Sequence, residues 1–155
     1  MSAHSLEEAI RWQNGTAFGL TAGLHSLDAA EIRVWLDAVE AGNLYVNRTI
    51  TGAIVRRQPF GGWKRSAVGP GAKAGGPGYV RALGALRPAP PSSRTVTVSL
   101  PRLARLLRDA APLAGEDFAA VVAADEAAVR TTVGVPHDPS ALTSELNVLR
   151  YRPVP

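Results

Sequence analysis

The sequence predicts an α/β fold: a parallel βαβ unit near the N-terminus, then a small C-terminal α/β extension. Three features succeed one another within about 30 residues, the usual length of a βαβ unit. Phe18, Leu20, Ala22 and Leu24 alternate with small or polar residues at period two; Ile32, Trp35 and Val39 recur at helical spacing; and Leu44-Tyr45-Val46-Asn47 is a run of β-formers. The crossover between two such strands is right-handed in almost all proteins, which makes the strands parallel. With 46% hydrophobic residues in 155, the chain has enough apolar material for a packed core.

Before the first strand, Ser5-Leu6-Glu7-Glu8 has the Ser-x-x-Glu spacing of a capping box, so a helix is expected from there. Leu6, Ala9, Ile10 and Gln13 give it a short stripe, and Asn14-Gly15 offers residues suited to a left-handed C-terminus. The second helix is expected to be capped by Ser26 or Asp28 and closed by Gly42. Trp12 and Trp35 both fall on helices and are read as packing residues.

Beyond Asn47 the chain becomes rich in glycine, through Thr51-Gly52-Ala53, Gln58-Pro59-Phe60-Gly61-Gly62 and the run from Gly69 to Gly78. Glycine lets backbone approach a ligand closely. In α/β sheets ligands bind at the carboxyl ends of parallel strands, and this segment leaves the carboxyl end of the Leu44–Asn47 strand. A loop-built site is expected here.

Residues 88–94 read as a proline-stiffened linker, separating an N-terminal region, 1–87, from an extension, 95–155. In the extension, Thr95-Val96-Thr97-Val98 is expected to be a strand, and Ser99 to cap a helix with Pro101 in its first turn. Leu100, Leu103, Leu106 and Leu107 form that helix's apolar face. Asp117 to Arg130 reads as another helix, and Thr132–Val135 and Asn147–Tyr151 as strands.

Composition excludes several chemistries. The chain has no cysteine, hence no disulfide, no thiolate metal site and no sulfur nucleophile of its own. His4, His25 and His137 are scattered, so no metal site is assigned. No stretch is apolar enough to span a membrane and the N-terminus is unlike a leader, which makes the cytoplasm the expected compartment.

The net charge of +4 is unevenly spread. Residues 42–108 carry ten Arg and two Lys with no acid, between flanks in which acids predominate. Such a segment suits an anionic ligand, an acidic partner surface or a nucleic acid. A basic nucleic-acid-binding module, with Trp63 and Tyr79 as stacking groups, or a noncatalytic assembly module is therefore the alternative reading. Against nucleic acid, the Arg residues lie on several elements and form no stripe.

Gly42-Asn43-Leu44-Tyr45-Val46-Asn47-Arg48, Thr51-Gly52-Ala53 and Gln58-Pro59-Phe60-Gly61-Gly62-Trp63-Lys64-Arg65-Ser66 together resemble the C-terminal part of the aldehyde dehydrogenase superfamily. The preceding Asn14 to Ser26 and the later Gly71-Ala72-Lys73-Ala74-Gly75-Gly76-Pro77 fit the same pattern. Within that superfamily the chain looks most like L-glutamate γ-semialdehyde (Δ1-pyrroline-5-carboxylate) dehydrogenases. Ser144 to Pro153 resembles the C-terminal end of long bifunctional proline utilisation proteins. One departure is Ala67, where many relatives have glycine.

The resemblance implies a partial aldehyde dehydrogenase catalytic domain whose reaction oxidises the semialdehyde to glutamate with NAD. It also implies that the catalytic cysteine, the general base and the NAD-binding helices lie upstream of this segment, in the remainder of the domain. No catalytic or cofactor-binding residue is then assigned here, and the 155 residues alone are expected to be inactive. Gly52 and Ala53 match the loop whose backbone amides bind the substrate α-carboxylate, with Thr51 adjoining, and Phe60 matches an aromatic that packs on the aliphatic part. The implied partners are glutamate or its semialdehyde and, in the full protein, further copies of the chain.

Overall fold

The computed structural model describes residues 1–54, 57–69, 72–87, 97–133 and 135–152, which fall into two compact units, Met1–Ala85 and Leu86–Pro155. In the first unit, α1 (Leu6–Asn14) starts at Ser5, whose hydroxyl accepts the Glu8 amide at 3.2 Å. The return bond of the expected capping box is displaced by one residue, because the Glu8 carboxylate takes the His4 amide at 2.7 Å. At the other end Gly15 is right-handed, with φ −67°, and not left-handed as expected. The Asn14 side chain instead reaches across to the end of the second helix, donating to the Ala38 carbonyl and accepting the Glu40 amide, both at 2.9 Å.

The expected first strand divides at Leu20. β1 (Phe18–Gly19) pairs antiparallel with β4 (Trp63–Lys64), and β2 (Thr21–Leu24) pairs parallel with β3 (Asn43–Val46). Thr21 stands opposite Asn43 and Leu24 opposite Val46. The change of partner explains why Phe18 and Leu20 are exposed despite their alternation. Between the parallel strands runs α2 (Ala29–Ala38), capped by Asp28, whose carboxylate accepts the Ala30 amide at 2.6 Å. Ser26 serves the cap from outside, accepting the Asp28 amide and donating to Glu31. The helix ends on Val39 in extended conformation, so Gly42 does not close it.

This βαβ unit encloses a core of Ile10, Trp35, Val39 and Ala41, against which Leu6, Ala22, Leu24, Leu44 and Val46 pack. Trp35 is 1% exposed, and its indole N–H donates to the Gln13 side chain at 2.8 Å. Trp12, on the other face of α1, is 41% exposed and is not the packing residue the sequence suggested.

In the second unit, α3 (Pro101–Ala110) and α4 (Phe118–Ala128) are the regular elements, followed by a π-helical turn, Val129–Val133. That turn replaces the strand expected from Thr132, of which Gly134 lies outside the described residues. The strand expected at Asn147–Tyr151 is reduced to an isolated antiparallel bridge, Leu149 to His137. Of the expected Thr95–Val98 strand, Thr97 and Val98 have no regular structure and the other two residues, like the 88–94 linker, lie outside the described residues. Leu106 is 46% exposed, so the apolar face of α3 is narrower than its four leucines implied.

Leu100, not Ser99, is the N-cap of α3. Ser99 is drawn away by Glu126 of α4, to which it donates from its amide at 2.8 Å and its hydroxyl at 2.6 Å. The Leu100 amide and the Arg130 guanidinium also donate to this carboxylate, which is 5% exposed. The Ser99 hydroxyl, foremost among these donors, lowers the Glu126 carboxyl from 4.5 to about 2 against the opposing effect of burial. A carboxyl lowered on folding adds stability that is complete above its unfolded value and disappears as pH falls through its folded one. The acid profile of the second unit should therefore weaken progressively between about 4.5 and about 2. In Glu126→Gln this limb of a circular-dichroism acid titration is expected to flatten, and an unchanged profile would contradict the assignment.

Candidate functional site

β2 and β3 end side by side, and two hydrogen bonds lock their ends together. The Ser26 amide donates to Asn47 Oδ1 at 2.9 Å, and Asn47 Nδ2 donates to the Ser26 carbonyl at 2.8 Å. Asn47 itself sits at φ 57°, a left-handed conformation that asparagine tolerates, so the chain leaves the sheet plane here. The Arg48 guanidinium then lies 5.1 Å from the Tyr45 ring centre, a cation–π contact that directs its side chain back toward the strand.

The loop that follows is exposed through Ile54. Gly52 has φ 83°, and no atom lies within 4 Å of the position a Cβ would occupy. Backbone conformation, not lack of room, is what demands glycine there. Among the described residues, the amides of Gly52 and Ala53 have no hydrogen-bond acceptor. An open cleft of about 620 Å³ runs along β2, and its wall includes His25, Arg48 and Thr51. Of the four residues singled out from the sequence, Thr51 lines this cleft; Gly52 and Ala53 continue the same loop outside its wall, and Phe60 belongs to a separate segment.

Phe60 is half-buried and held by its backbone. Its amide donates to the Ala74 carbonyl at 3.0 Å, and it accepts the Ala74 amide at 2.9 Å. On the other side of the segment, Asn43 donates to the Pro59 carbonyl at 3.0 Å and accepts the Gly61 amide at 3.1 Å. Lys73 donates to the carbonyls of Gly42 and Gly61. Burial lowers its ammonium group to about 8. Gln58 completes the set by donating to the Tyr45 hydroxyl at 2.6 Å. Asn43, Lys73 and Asn47 were not among the predicted site residues. The available signal was the polar type of Asn43, 7% exposed at the head of an apolar strand, and a lone lysine in a glycine run.

Several cations of the basic segment are engaged within the unit: Arg48 on Tyr45, Arg65 on Phe18, Lys64 with Glu40 at 2.7 Å, and Lys73 on carbonyls. Trp63 is half-buried in β4, whereas Tyr79 is 46% exposed. Among the described residues, no group of three or more His, Asp and Glu is placed to hold a metal, and no helix is long and apolar enough to cross a membrane. A dinucleotide phosphate seeks a helix N-terminus with free amides, but at α2 the Asp28 carboxylate already occupies that position.

The described unit thus presents a glycine-dependent turn beyond the carboxyl end of a parallel strand and, later in the sequence, a braced aromatic segment. Residues 1–83 match the model of the aldehyde dehydrogenase family, and the chain belongs to that family. The bifunctional protein PutA of Rhizobium meliloti is 47% identical over 91 residues, covering 59% of this chain and 7% of the relative. A 1-pyrroline-5-carboxylate dehydrogenase of Geobacillus sp. (strain WCH70) is 42% identical over 78 residues, covering 50% of this chain and 15% of the relative. Among solved structures, Proline Utilization A (PutA) from Corynebacterium freiburgense superposes with a TM-score of 0.82 at 52% identity, over 99% of this chain and 15% of that one. The likeness thus extends through the second unit, where the sequence offered little beyond its tail. The chain spans only a small part of each of these relatives.

Proposed function

We propose that the chain is the C-terminal segment of an NAD-dependent L-glutamate γ-semialdehyde dehydrogenase of proline catabolism, and that it recognises the amino-acid end of the substrate. The observation that carries this reading is the exposed turn at Gly52 beyond the carboxyl end of a parallel strand, with two successive amides that have no acceptor among the described residues. Consecutive free amides around a left-handed residue form a concave anion site, suited to a carboxylate without any cationic side chain. Thr51 adds a hydroxyl at the edge of the neighbouring cleft, and Phe60 offers an aromatic wall to the aliphatic part of the ligand. The names of the PutA and 1-pyrroline-5-carboxylate dehydrogenase relatives support the choice of substrate.

The rest of the chemistry belongs to other parts of the domain. With no cysteine among these 155 residues, the thiolate that attacks the aldehyde comes from elsewhere, as do the groups that activate water. NAD, when bound, accepts the hydride; the capped helix α2 gives it no phosphate seat on this segment. The working protein is a cytoplasmic homo-oligomer in this reading, with part of its intersubunit surface on this segment.

Titrating the isotopically labelled 155-residue chain with L-glutamate should shift the Gly52 and Ala53 amide signals most. Butylamine, which has no carboxylate, should leave them unmoved. Gly52→Val, which forces a β-branched residue to φ 83°, is expected to abolish the response. Equal shifts with both ligands, or none at residues 51–53, would overturn the proposal.

A further inference from the structure

The segment Pro59–Gly61 is bonded along both of its edges. One edge is main chain: the amide and carbonyl of Phe60 pair with Ala74. The other is a single side chain, because the Asn43 carboxamide takes the carbonyl before Phe60 and the amide after it. Asn43 thereby imitates a neighbouring strand, occupying the outward-facing groups that an extended segment presents at alternate residues. Lys73 extends this edge by one group, joining the Gly61 carbonyl to that of Gly42 at the head of β3. Every main-chain polar group from the Pro59 carbonyl to the Gly61 carbonyl has a partner within the unit. That leaves the Phe60 ring as the one side chain of residues 59–61 with both size and directional freedom, and the backbone beneath it is fixed.

Both clamping residues are costly to keep for structural purposes alone. Asn43 is a polar residue 7% exposed where an apolar one would pack, and Lys73 carries a charge that burial disfavours. The groups facing the Lys73 amine are main-chain carbonyls, and among the described residues no carboxylate forms an ion pair with it. Such expense is typical of side chains that hold functional groups in register.

We propose that Asn43 and Lys73 are positioning residues for substrate selection: they fix Phe60 and, through it, the ligand chain length that the site accepts. The selection rests on the function proposed above, whereas the fixing of Phe60 does not. Two separate readouts on the 155-residue chain distinguish them. The first is the Phe60 ring signal in nuclear magnetic resonance. Asn43→Ala and Lys73→Met should each displace or broaden it, Lys73→Arg should restore it, and in the unsubstituted chain it should follow pH with a midpoint of about 8 that Lys73→Met removes. The Trp35 indole N–H, bonded to Gln13 in the core, reports that each variant remains folded. A ring signal indifferent to both substitutions would overturn the proposal whatever the ligands do.

The second readout is the ratio of affinities for glutamate and the shorter aspartate. Asn43→Ala and Lys73→Met should each reduce the preference by about tenfold, the usual worth of one methylene in a shaped pocket. Combined with Phe60→Ala they should add nothing to its effect. Equal losses for both ligands, or effects that add fully to Phe60→Ala, would mean that the pair merely supports the fold. If the ring responds but the unsubstituted chain binds neither ligand, the clamp stands and the substrate reading fails, taking the selection role with it.

Discussion

Trp35→Ala is expected to destabilise the first unit by about 3–5 kcal/mol, the usual loss when a buried tryptophan is removed from a core. Trp35 is among the least exposed side chains of the molecule, and it lies where α2 meets α1 and the floor of the parallel strands. Its removal leaves a cavity among Ile10 of α1, Val39 at the C-cap of α2 and Ala41 just before β3. It also deprives Gln13 of its indole donor. Domains of this size retain only about 5–15 kcal/mol in total, so the loss consumes a large share of it. Trp12→Ala is the matched comparison: the same residue type, on the adjoining helix but 41% exposed, should cost less. Chemical denaturation followed by far-ultraviolet circular dichroism, which does not depend on indole fluorescence, measures both. Similar midpoints for the two variants would show that the core is not centred on α2.

Gly42→Ala is expected to cost at least about 1–3 kcal/mol, the usual range for forcing a methyl group into packed structure. A Cβ at residue 42 falls 1.8 Å from the Gly61 carbonyl oxygen and 2.7 Å from the Gly62 Cα. Both obstacles are backbone and cannot rotate aside. Relief requires the Gly61–Gly62 turn to move away from the head of β3, which pulls at the Asn43 and Lys73 hydrogen bonds together. Gly78 provides the contrast, since no atom lies within 4 Å of its missing Cβ and alanine there should be nearly neutral. Thermal unfolding of both variants, with the Phe60 amide exchange rate as a local measure, tests this. Equal thermal midpoints for the two would contradict the close approach.

These expectations separate what local pattern specifies from what it does not. The parallel strands and the helix between them were legible because their periods of two and 3.6 residues are written into consecutive residues. The cap was narrowed to Ser26 or Asp28 in the same way, and it is Asp28 that caps. Ser99 was not, because the preference of a serine for the adjoining helix end lost to a carboxylate 27 residues away. Gly15 shows a related override: its right-handed amide still donates to the Arg11 carbonyl, and Lys64, 50 residues on, takes the Asn14 carbonyl at the helix end, leaving no need for a left-handed residue. The two-residue pairing of β1 with β4 joins Phe18 to Lys64, and nothing local to either announces the other. Within the candidate site, composition and position along the strand pointed to a loop after Asn47, and the choice of Gly52 within that loop came from the family resemblance. The clamp on Phe60 did not, since Asn43 and Lys73 acquire their role only when distant segments meet.

The lock between Ser26 and Asn47 has a mechanical consequence. Residues 21 apart in sequence are closed into one ring by donors and acceptors on the same asparagine side chain. The entrance to α2 and the exit from β3 are thereby tied at one point, so the residue from which the Gly52 loop departs is anchored to the helix that crosses between the strands.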